Sequence, residues 1–377
     1  MNTTENHMAS TATMCEAPAT SNSQANLRHL FTEDPVEAPG GYRVLVECLA
    51  GPTTEPTVIV DSDGAHRFIR LFRAFRQTRR APVTPTSADT GLALLSQAAR
   101  TGASYNGDLP GRDGEMPARC VPVLGPSGAV HALRMDIGDI EHPGGPPVIP
   151  LEFDSRYIAR FGNPHGPMPA LFRTDTTWTL PALLERVVWL DKRLELIAMF
   201  DPIEPASRWC GRLVLADPTT DTRRHLWMAA RSVTDHHGMR IVRAVIADIT
   251  AMIPAPSWDP LTEHLSTRTT RGHGSALMDL RTTLMHSFCC HDDPRLALWR
   301  HSNPQLHPAD TPALMTVLGD LADNRPARIT MRIRFSDDAP WTTLRAECSP
   351  LTNYPRAQAN IDFWIEEPAR EKGASTQ

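Results

Sequence analysis

The chain has 377 residues, of which 41% are hydrophobic and 21% charged, so it is long enough for two or three folded domains. Its net charge of −5 offers no broadly basic surface, and we expect no nucleic-acid partner. The 34 prolines predict short elements with many breaks rather than long helices.

Cysteine usage and apolar runs predict a cytoplasmic protein. The seven cysteines form no small-domain disulfide pattern, which is typical of reduced thiols in a cytosol. The sequence contains no apolar run of about 18 residues, so we expect no membrane span. The N-terminus lacks the basic and apolar regions of a secretory signal. Residues 1–39, rich in Ser, Thr, Asn and Ala, are predicted to form a disordered tail, and residues 369–377 a second tail.

Residues 40–150 are predicted to form a first α+β domain. Apolar runs at 42–50 and 56–63 predict a pair of strands, and the spacing of the phenylalanines predicts a helix over 65–77. A second helix is predicted over 90–100, followed by two strands around a Pro-Ser-Gly turn.

Residues 151–252 are predicted to form a second domain. An apolar stripe predicts a helix over 180–200. Three strands are then predicted at 209–216, 223–233 and 239–250, and their short polar turns favour an antiparallel meander.

Residues 253–275 are predicted to be a linker, and residues 276–368 a third domain. This domain is predicted to contain a helix over 276–289, a helix over 307–324, a hairpin and a closing strand over 356–367. The second and third domains therefore share a plan of helices followed by three antiparallel strands.

Two short motifs resemble those of PAS domains. The strand ending in Asp248-Ile249-Thr250 resembles the last strand of that family, whose five-stranded sheet closes on Asp-Ile-Thr. His307-Pro308-Ala309-Asp310 resembles the His-Pro-x-Asp that opens a late PAS helix. The stretch "VPVLGPSGAVHALRMDIG" is similar to part of a GAF-like domain. The whole order resembles an actinobacterial GAF-like/PAS-PAS signalling-type family of unassigned function, which implies an α+β fold with three small antiparallel-sheet domains, one GAF-like and two PAS-like.

The resemblance implies a sensory protein without enzymatic activity. In sensors with an output domain, the Asp-Ile-Thr strand leads into a helix. Here Pro254 and Pro256 follow it and prevent a continuous helix. We therefore expect the signal to leave by contact with an unidentified protein partner.

The inner faces of the predicted sheets are the candidate binding surface for a small molecule. The candidate ligand-binding residues of the second and third domains are Leu213, Leu215, Leu226, Met228, Ile329, Met331 and Ile333. Each sheet and the helices over it would enclose a space, which we call a cup. The same residues would be ordinary core if the cups are filled, and the protein would then be a protein-interaction adaptor. A small-molecule hydrolase or transferase is a further alternative, although no catalytic residues are predicted.

One local cluster contains metal-ligand types: His286, Cys289, Cys290 and His291. Structural zinc sites usually combine two short pairs well separated in sequence, whereas here all four residues are local. We therefore predict a helix end with one buried thiol rather than a metal site. No cofactor is predicted, and the sequence leaves haem and flavin open.

Overall fold

Three antiparallel sheets follow one another along the chain, each built from a contiguous stretch of sequence. The computed structural model describes residues 41–78, 83–84, 86–138, 144–168, 172, 177–216, 223–235, 237–253, 272–290, 293–300 and 302–366. Strands predominate and a few helices cover the sheets, so the architecture is mostly β. Residues Gly40–Gln377 belong to one compact unit.

The first sheet has six strands in the order β3-β2-β1-β6-β5-β4. Its elements are β1 (Tyr42–Glu47), β2 (Thr57–Asp61), β3 (Gly64–Ile69), α1 (Leu71–Gln77), α2 (Ser87–Thr101), β4 (Tyr105–Pro110), β5 (Glu115–Leu124) and β6 (Val130–Ile137). The helix predicted over 65–77 is wrong in its first part. Residues up to Ile69 extend the sheet by pairing with β2, and the helix begins only at Leu71.

The second sheet has seven strands in the order β10-β11-β12-β13-β7-β8-β9. Its elements are β7 (Val148–Phe153), β8 (Ile158–Phe161), β9 (Thr177–Thr179), α3 (Leu180–Glu185), β10 (Val187–Leu190), α4 (Arg193–Ala198), β11 (Arg208–Ala216), β12 (Arg223–Thr234) and β13 (Arg240–Asp248). The predicted meander is confirmed, since β11, β12 and β13 pair consecutively and antiparallel.

The single helix predicted over 180–200 is wrong. Two six-residue helices, α3 and α4, are separated by β10, which adds an edge strand to β11. The chain turns between them at Lys192, whose φ of 48° is in the left-handed region and interrupts a helix. The apolar side chains enter the core in either arrangement, so their spacing alone did not reveal the break.

The third sheet has six strands in the order β15-β14-β19-β18-β17-β16. Its elements are β14 (His273–Asp279), β15 (Leu284–Cys290), a 3-10 helix (Leu296–Arg300), β16 (Gln305–Leu306), a second 3-10 helix (Pro308–Asp310), α5 (Thr311–Ala322), β17 (Ala327–Arg334), β18 (Thr342–Leu351) and β19 (Gln358–Ile365). The helix predicted over 307–324, the hairpin β17–β18 and the closing strand are confirmed.

The helix predicted over 276–289 is wrong, because this stretch forms the hairpin β14–β15. The Asp279 carboxylate accepts hydrogen bonds from the Thr282 backbone N (2.9 Å) and hydroxyl (2.8 Å), which closes the turn. Strand β14 already begins at His273, inside the predicted linker, and β7 begins at Val148, before the predicted start of the second domain. Residues 254–271 of the linker lie outside the described residues.

All three sheets repeat one topology. The first strand of each stretch lies between the second and the last: β1 between β2 and β6, β7 between β8 and β13, and β14 between β15 and β19. The last three strands of each stretch then follow as neighbours toward the other edge of the sheet, so the repeat is one of connectivity.

The first two sheets pack face to face. Leu45, Ile59 and Val123 of the first sheet belong to one buried cluster with Trp227 and Val245 of the second. Buried Glu47 and partly buried Arg231 form an ion pair across this interface, with 2.9 Å between Oε1 and Nη2. The opposite faces of these sheets are covered by their own helices, α1 and α2 on the first and α3 and α4 on the second.

The third sheet meets the second through its edge. Leu284 of β15 belongs to the core cluster of the second sheet. The Thr179 hydroxyl donates to the backbone O of Trp299 at 2.7 Å, which fixes the first 3-10 helix of the third sheet against the start of α3. We call this contact region the seam.

Candidate functional site

The inner face of the third sheet is built by strict alternation along β17. Ile329 and Ile333 are buried and Met331 is partly buried, while Arg328 and Thr330 on the opposite face are exposed. Met331 pairs with Leu344 of β18, so the apolar face continues across the sheet. Helix α5 covers this face, with Val317 and Leu321 as its buried residues.

A cavity of about 300 Å³ lies between this face and the elements over it. Its described lining residues are Tyr157, Pro181, Met278, Thr283, Leu284, Met285, Trp299, Asn303, Pro304, Leu306, Leu314, Val317, Ile329, Met331, Ile333, Leu344, Ala346, Cys348, Ile361 and Phe363. Ile329, Met331 and Ile333, the three candidates of the third domain, are therefore brought together in its wall.

The corresponding space over the second sheet is filled. Leu213, Leu215 and Met228 line a void of only about 20 Å³, and Leu226 is fully buried in the same core cluster. That volume is about what a single water needs, and the void is apolar. These four candidates therefore face one another as packed core.

One wall of the cavity is aromatic. Trp299 lies with its ring centroid 5.2 Å from that of Phe363 and 5.7 Å from that of Phe288, and Phe288 stacks on Phe363 at 5.6 Å. Phe335 meets Trp299 edge to face at 5.6 Å. Trp299 and Phe363 themselves line the cavity, so a planar, rigid surface borders its space.

The polar groups of the lining lie at the seam. Tyr157 belongs to the β7–β8 hairpin of the second sheet, and Asn303 donates from Nδ2 to the backbone O of the adjacent Arg156. The Thr283 hydroxyl donates to the backbone O of Thr282 at 2.6 Å. Tyr157 and Thr283 both have left-handed φ, 64° and 55°, a conformation that is uncommon for non-glycine residues. Each of these positions turns the chain sharply beside the cavity.

The described lining residues include no charged side chain. Burial raises the pKa of the Cys348 thiol to about 11, so this lining cysteine stays protonated and weakly nucleophilic at neutral pH. The propionates of haem or the phosphate of a flavin nucleotide would have no cationic partner among these residues. The described lining therefore does not fit either cofactor.

An ion cluster fixes the seam beside the cavity. Arg356 donates to Asp201 of the second sheet region and to Asp279 of β14, and all three residues are buried. Burial raises the pKa of both carboxyl groups, but hydrogen bonds from Arg356 and neighbouring groups outweigh it and hold each pKa below its usual value. Gln358 adds a donor to Asp279 at 2.9 Å.

The candidate metal ligands do not converge. His286 donates from Nε2 to Gln358 Oε1 at 2.6 Å, Cys290 is buried in the core of the third sheet, and Cys289 pairs with Ser275 on the neighbouring strand. Adjacent residues of a strand point to opposite faces, which separates Cys289 from Cys290. His291 lies outside the described residues. Within the described part of the chain, no group of three His, Cys, Asp or Glu residues is arranged to hold a metal ion.

Sequence reasoning missed Tyr157, Trp299 and Asn303. Tyr157 lies about 170 residues before β17 in sequence. Trp299 lies in a short 3-10 helix and Asn303 in the loop after it, so no periodicity connects these residues to β17. The one local signal is the apolar run before Trp299 in "RLALWRH", which indicates burial but no particular partner.

Comparison with known proteins gives similarity in fold only. No protein-family model matches the chain, and no curated protein matches it in sequence. It is similar to a solved structure of an uncharacterized protein from Mycobacterium tuberculosis, with a TM-score of 0.66 and 19% identity, covering 87% of this chain and 97% of that one. The two chains therefore share a fold over most of their length.

Two further solved structures are more distant. One is an RNA-binding light-oxygen-voltage receptor, with a TM-score of 0.22 and 12% identity over 58% of this chain and 95% of that chain. The other is a methyl-accepting chemotaxis protein, with a TM-score of 0.19 and 10% identity over 86% and 74%. At these TM-scores neither carries an argument about this chain. In the described residues, no helix is long and apolar enough to cross a membrane.

Proposed function

We propose that the protein is a non-enzymatic sensor that binds an apolar small molecule in the cavity over the third sheet. The observation that carries the proposal is the contrast between two sheets of the same topology. The second sheet leaves about 20 Å³ unfilled, whereas the third leaves about 300 Å³. Ligand pockets in proteins usually occupy roughly 300–1,000 Å³, so only the third cup reaches that range.

We further propose that the second and third sheets are PAS-like units and the first a GAF-like unit. The shared topology of the sheets supports this, as does the position of Asp248-Ile249-Thr250 at the end of the last strand of the second sheet. In this proposal only one PAS-like unit keeps room for a ligand. The other has become a packed scaffold that the third sheet contacts at the seam.

The proposed output is contact with a protein partner in the cytoplasm. Two cavity residues, Tyr157 and Pro181, belong to the second sheet and α3, so a ligand that changes the packing of the third sheet also changes contacts in the second. A ligand shifts such an equilibrium only by its difference in affinity for the two arrangements. Residues of the seam are therefore where a bound molecule would alter the surface presented to a partner.

The test compares how well the full chain retains a small molecule when the cavity is open and when a substitution fills it. Native mass spectrometry of the purified protein is expected to reveal a bound molecule, and Val317→Phe, which places a ring in the cavity, is expected to release it. Met315→Phe is the matched control, because Met315 lies on the same helix but is 61% exposed and does not line the cavity. Equal retention by a folded Val317→Phe variant would place the molecule elsewhere and overturn the proposal.

A further inference from the structure

We propose that the ligand of this cavity is a neutral, alcohol-type amphiphile: an apolar body of about a dozen heavy atoms that ends in one hydroxyl group at the seam, between Tyr157 and Asn303. This inference rests on the proposed function, because it names the chemical class that the same cavity accepts.

The size follows from the volume. An apolar cavity of about 150 Å³ accommodates benzene, which has six heavy atoms. The space over the third sheet is about twice as large at 300 Å³, and so takes about a dozen heavy atoms at similar packing. A ten-carbon chain with one oxygen matches this volume.

The body of the ligand is set by the apolar walls. Trp299 and Phe363 form a rigid side, while Met278, Met285 and Met331 are flexible enough to adapt to an unbranched chain. None of the described lining residues is charged, so a buried charge on the ligand would lack a partner and would cost far more than its apolar body gains. The walls therefore select an uncharged molecule.

The head group is set by two side chains. Asn303 donates from Nδ2 to the backbone O of Arg156, an obligate acceptor, so its amide orientation is fixed and Oδ1 faces another direction. Oδ1 accepts no hydrogen bond within the described part of the chain. The hydroxyl of Tyr157, the residue after Arg156, likewise makes none there. A hydroxyl group can donate to Asn303 and accept from Tyr157 at once, whereas an ether or a ketone can only accept.

The surroundings of Tyr157 keep its hydroxyl protonated. Burial raises the pKa of the Tyr157 hydroxyl, and the negative charges of Asp201 and Asp279 raise it further. The phenol is therefore a neutral donor at physiological pH. Arg356 pairs with both carboxylates, so an anionic head is disfavoured by the uncharged lining, and fatty acids should bind more weakly than alcohols of equal length.

The experiment is a calorimetric titration of the full chain with decan-1-ol, decanoate at pH 8, decyltrimethylammonium and decyl methyl ether. Decan-1-ol is expected to bind at least roughly tenfold more tightly than decanoate or decyltrimethylammonium, because each of these ions would bring an unpaired charge into the cavity. The ether, which cannot donate, is expected to bind about fivefold more weakly than the alcohol, since one net hydrogen bond is lost.

A variant tests the same contact from the protein side. Tyr157→Phe removes only the hydroxyl and is expected to weaken decan-1-ol about fivefold. Tyr354→Phe is the matched control, because Tyr354 is exposed and does not line the cavity, and it should bind as the wild type does. The ether comparison uses the wild-type protein and so holds even if Tyr157→Phe fails to fold.

The possible failures are distinguishable. If decanoate or decyltrimethylammonium binds as tightly as decan-1-ol, or if the ether equals the alcohol, the alcohol class is wrong. The proposed cavity function would survive that result, since it depends on the release of a retained molecule by Val317→Phe. If none of the four compounds binds, the alcohol class is again overturned, and the mass-spectrometric experiment alone decides the proposed function.

Discussion

Arg356 donates from Nη2 to Asp201 Oδ2 at 2.9 Å, a contact that joins residues 155 positions apart in sequence. Asp201 follows α4 of the second sheet region, and Arg356 precedes β19 of the third. The same guanidinium group also reaches Asp279 Oδ1 at 3.0 Å. Because all three side chains are buried, the seam depends on a desolvated charge network that holds only when each charge keeps its partner.

Replacing this guanidinium should destabilise the protein strongly. Arg356→Leu leaves Asp201 and Asp279 buried without their main counter-charge, and removing one member of a buried pair typically costs about 3–5 kcal/mol. We expect a loss near 3 kcal/mol in the free energy of unfolding, because Arg281 still contacts Asp201 and Gln358 still contacts Asp279. Urea denaturation followed by tryptophan fluorescence measures it.

The control for this change is an exposed ion pair on the third sheet. Arg328 and Glu347 lie 3.0 Å apart with most of the arginine side chain in solvent. Arg328→Leu should change the free energy of unfolding by less than about 1 kcal/mol. Equal losses in the two variants would mean that the seam cluster is not the stabilising element described above.

Two valines test how much space each cup contains. Val187 lies against the void of about 20 Å³ over the second sheet, and Val317 against the cavity of about 300 Å³ over the third. Val187→Phe should overpack its core and reduce the free energy of unfolding by about 1–3 kcal/mol. Val317→Phe should be tolerated within about 1 kcal/mol, because a ring has room there. Thermal and urea unfolding of the two variants make the comparison, and similar losses in both would show that the third cup is not open.

Local patterns predicted the elements whose pairing is also local. Strands β11 to β13, the hairpin β17–β18 and helix α5 were confirmed because short turns or helix-start residues mark them in sequence. The failures over 180–200 and 276–289 have a different cause. There the apolar residues satisfy both helix and strand spacing, and distant partners decide the outcome: β14 pairs with β19, some 80 residues later.

The candidate site was predicted only in part for a related reason. Alternation along β17 identified Ile329, Met331 and Ile333 as one apolar face. The same logic selected Leu213 and Leu215, whose face is fully packed. The alternation of apolar and polar residues shows which face of a strand is buried. The volume of a cavity over that face depends on the residues that pack against it. The residues that shape this volume, such as Trp299 and Tyr157, come from other parts of the chain.

Acidification should weaken the fold through His286. Burial, and then the nearby charge of Arg193, lowers the pKa of His286 to about 4 from its ordinary value of 6.5. The folded protein thus keeps this histidine neutral while the unfolded chain takes up a proton, so stability falls as pH decreases from about 6.5 to 4. The shift corresponds to about 3 kcal/mol.

The measurement is the free energy of unfolding between pH 7 and pH 4 for wild type and His286→Gln. Glutamine can still hydrogen-bond Gln358 but does not titrate, so the variant should show a flatter pH dependence. His237→Gln serves as the control, since His237 is exposed, and its profile should follow the wild type. A slope unchanged by His286→Gln would assign the acid sensitivity to the carboxylates instead.

Side-chain hydrogen bonds of Asp248 and Thr250 hold the end of the last strand of the second sheet. Asp248 Oδ1 accepts from the Thr250 backbone N at 3.0 Å and from its hydroxyl at 2.5 Å, and the Thr250 hydroxyl oxygen accepts from the His225 backbone N at 2.9 Å. The turn is thereby tied to β12, the neighbouring strand. These hydrogen bonds explain why β13 ends at Asp248.

Thr250→Val should therefore loosen the end of β13. The variant keeps the shape and branching of the side chain but loses the hydroxyl, so the His225 backbone N loses its acceptor. We expect a decrease of about 1 kcal/mol in the free energy of unfolding. Hydrogen exchange should also become faster at His225 and Thr250, because local opening precedes exchange. Thr316→Val on the exposed side of α5, whose hydroxyl donates to the Pro312 backbone O at 3.1 Å within the same helix, is the matched control. If exchange at His225 stays as slow as in the wild type, backbone pairing alone holds this strand end and the hydroxyl of Thr250 is dispensable.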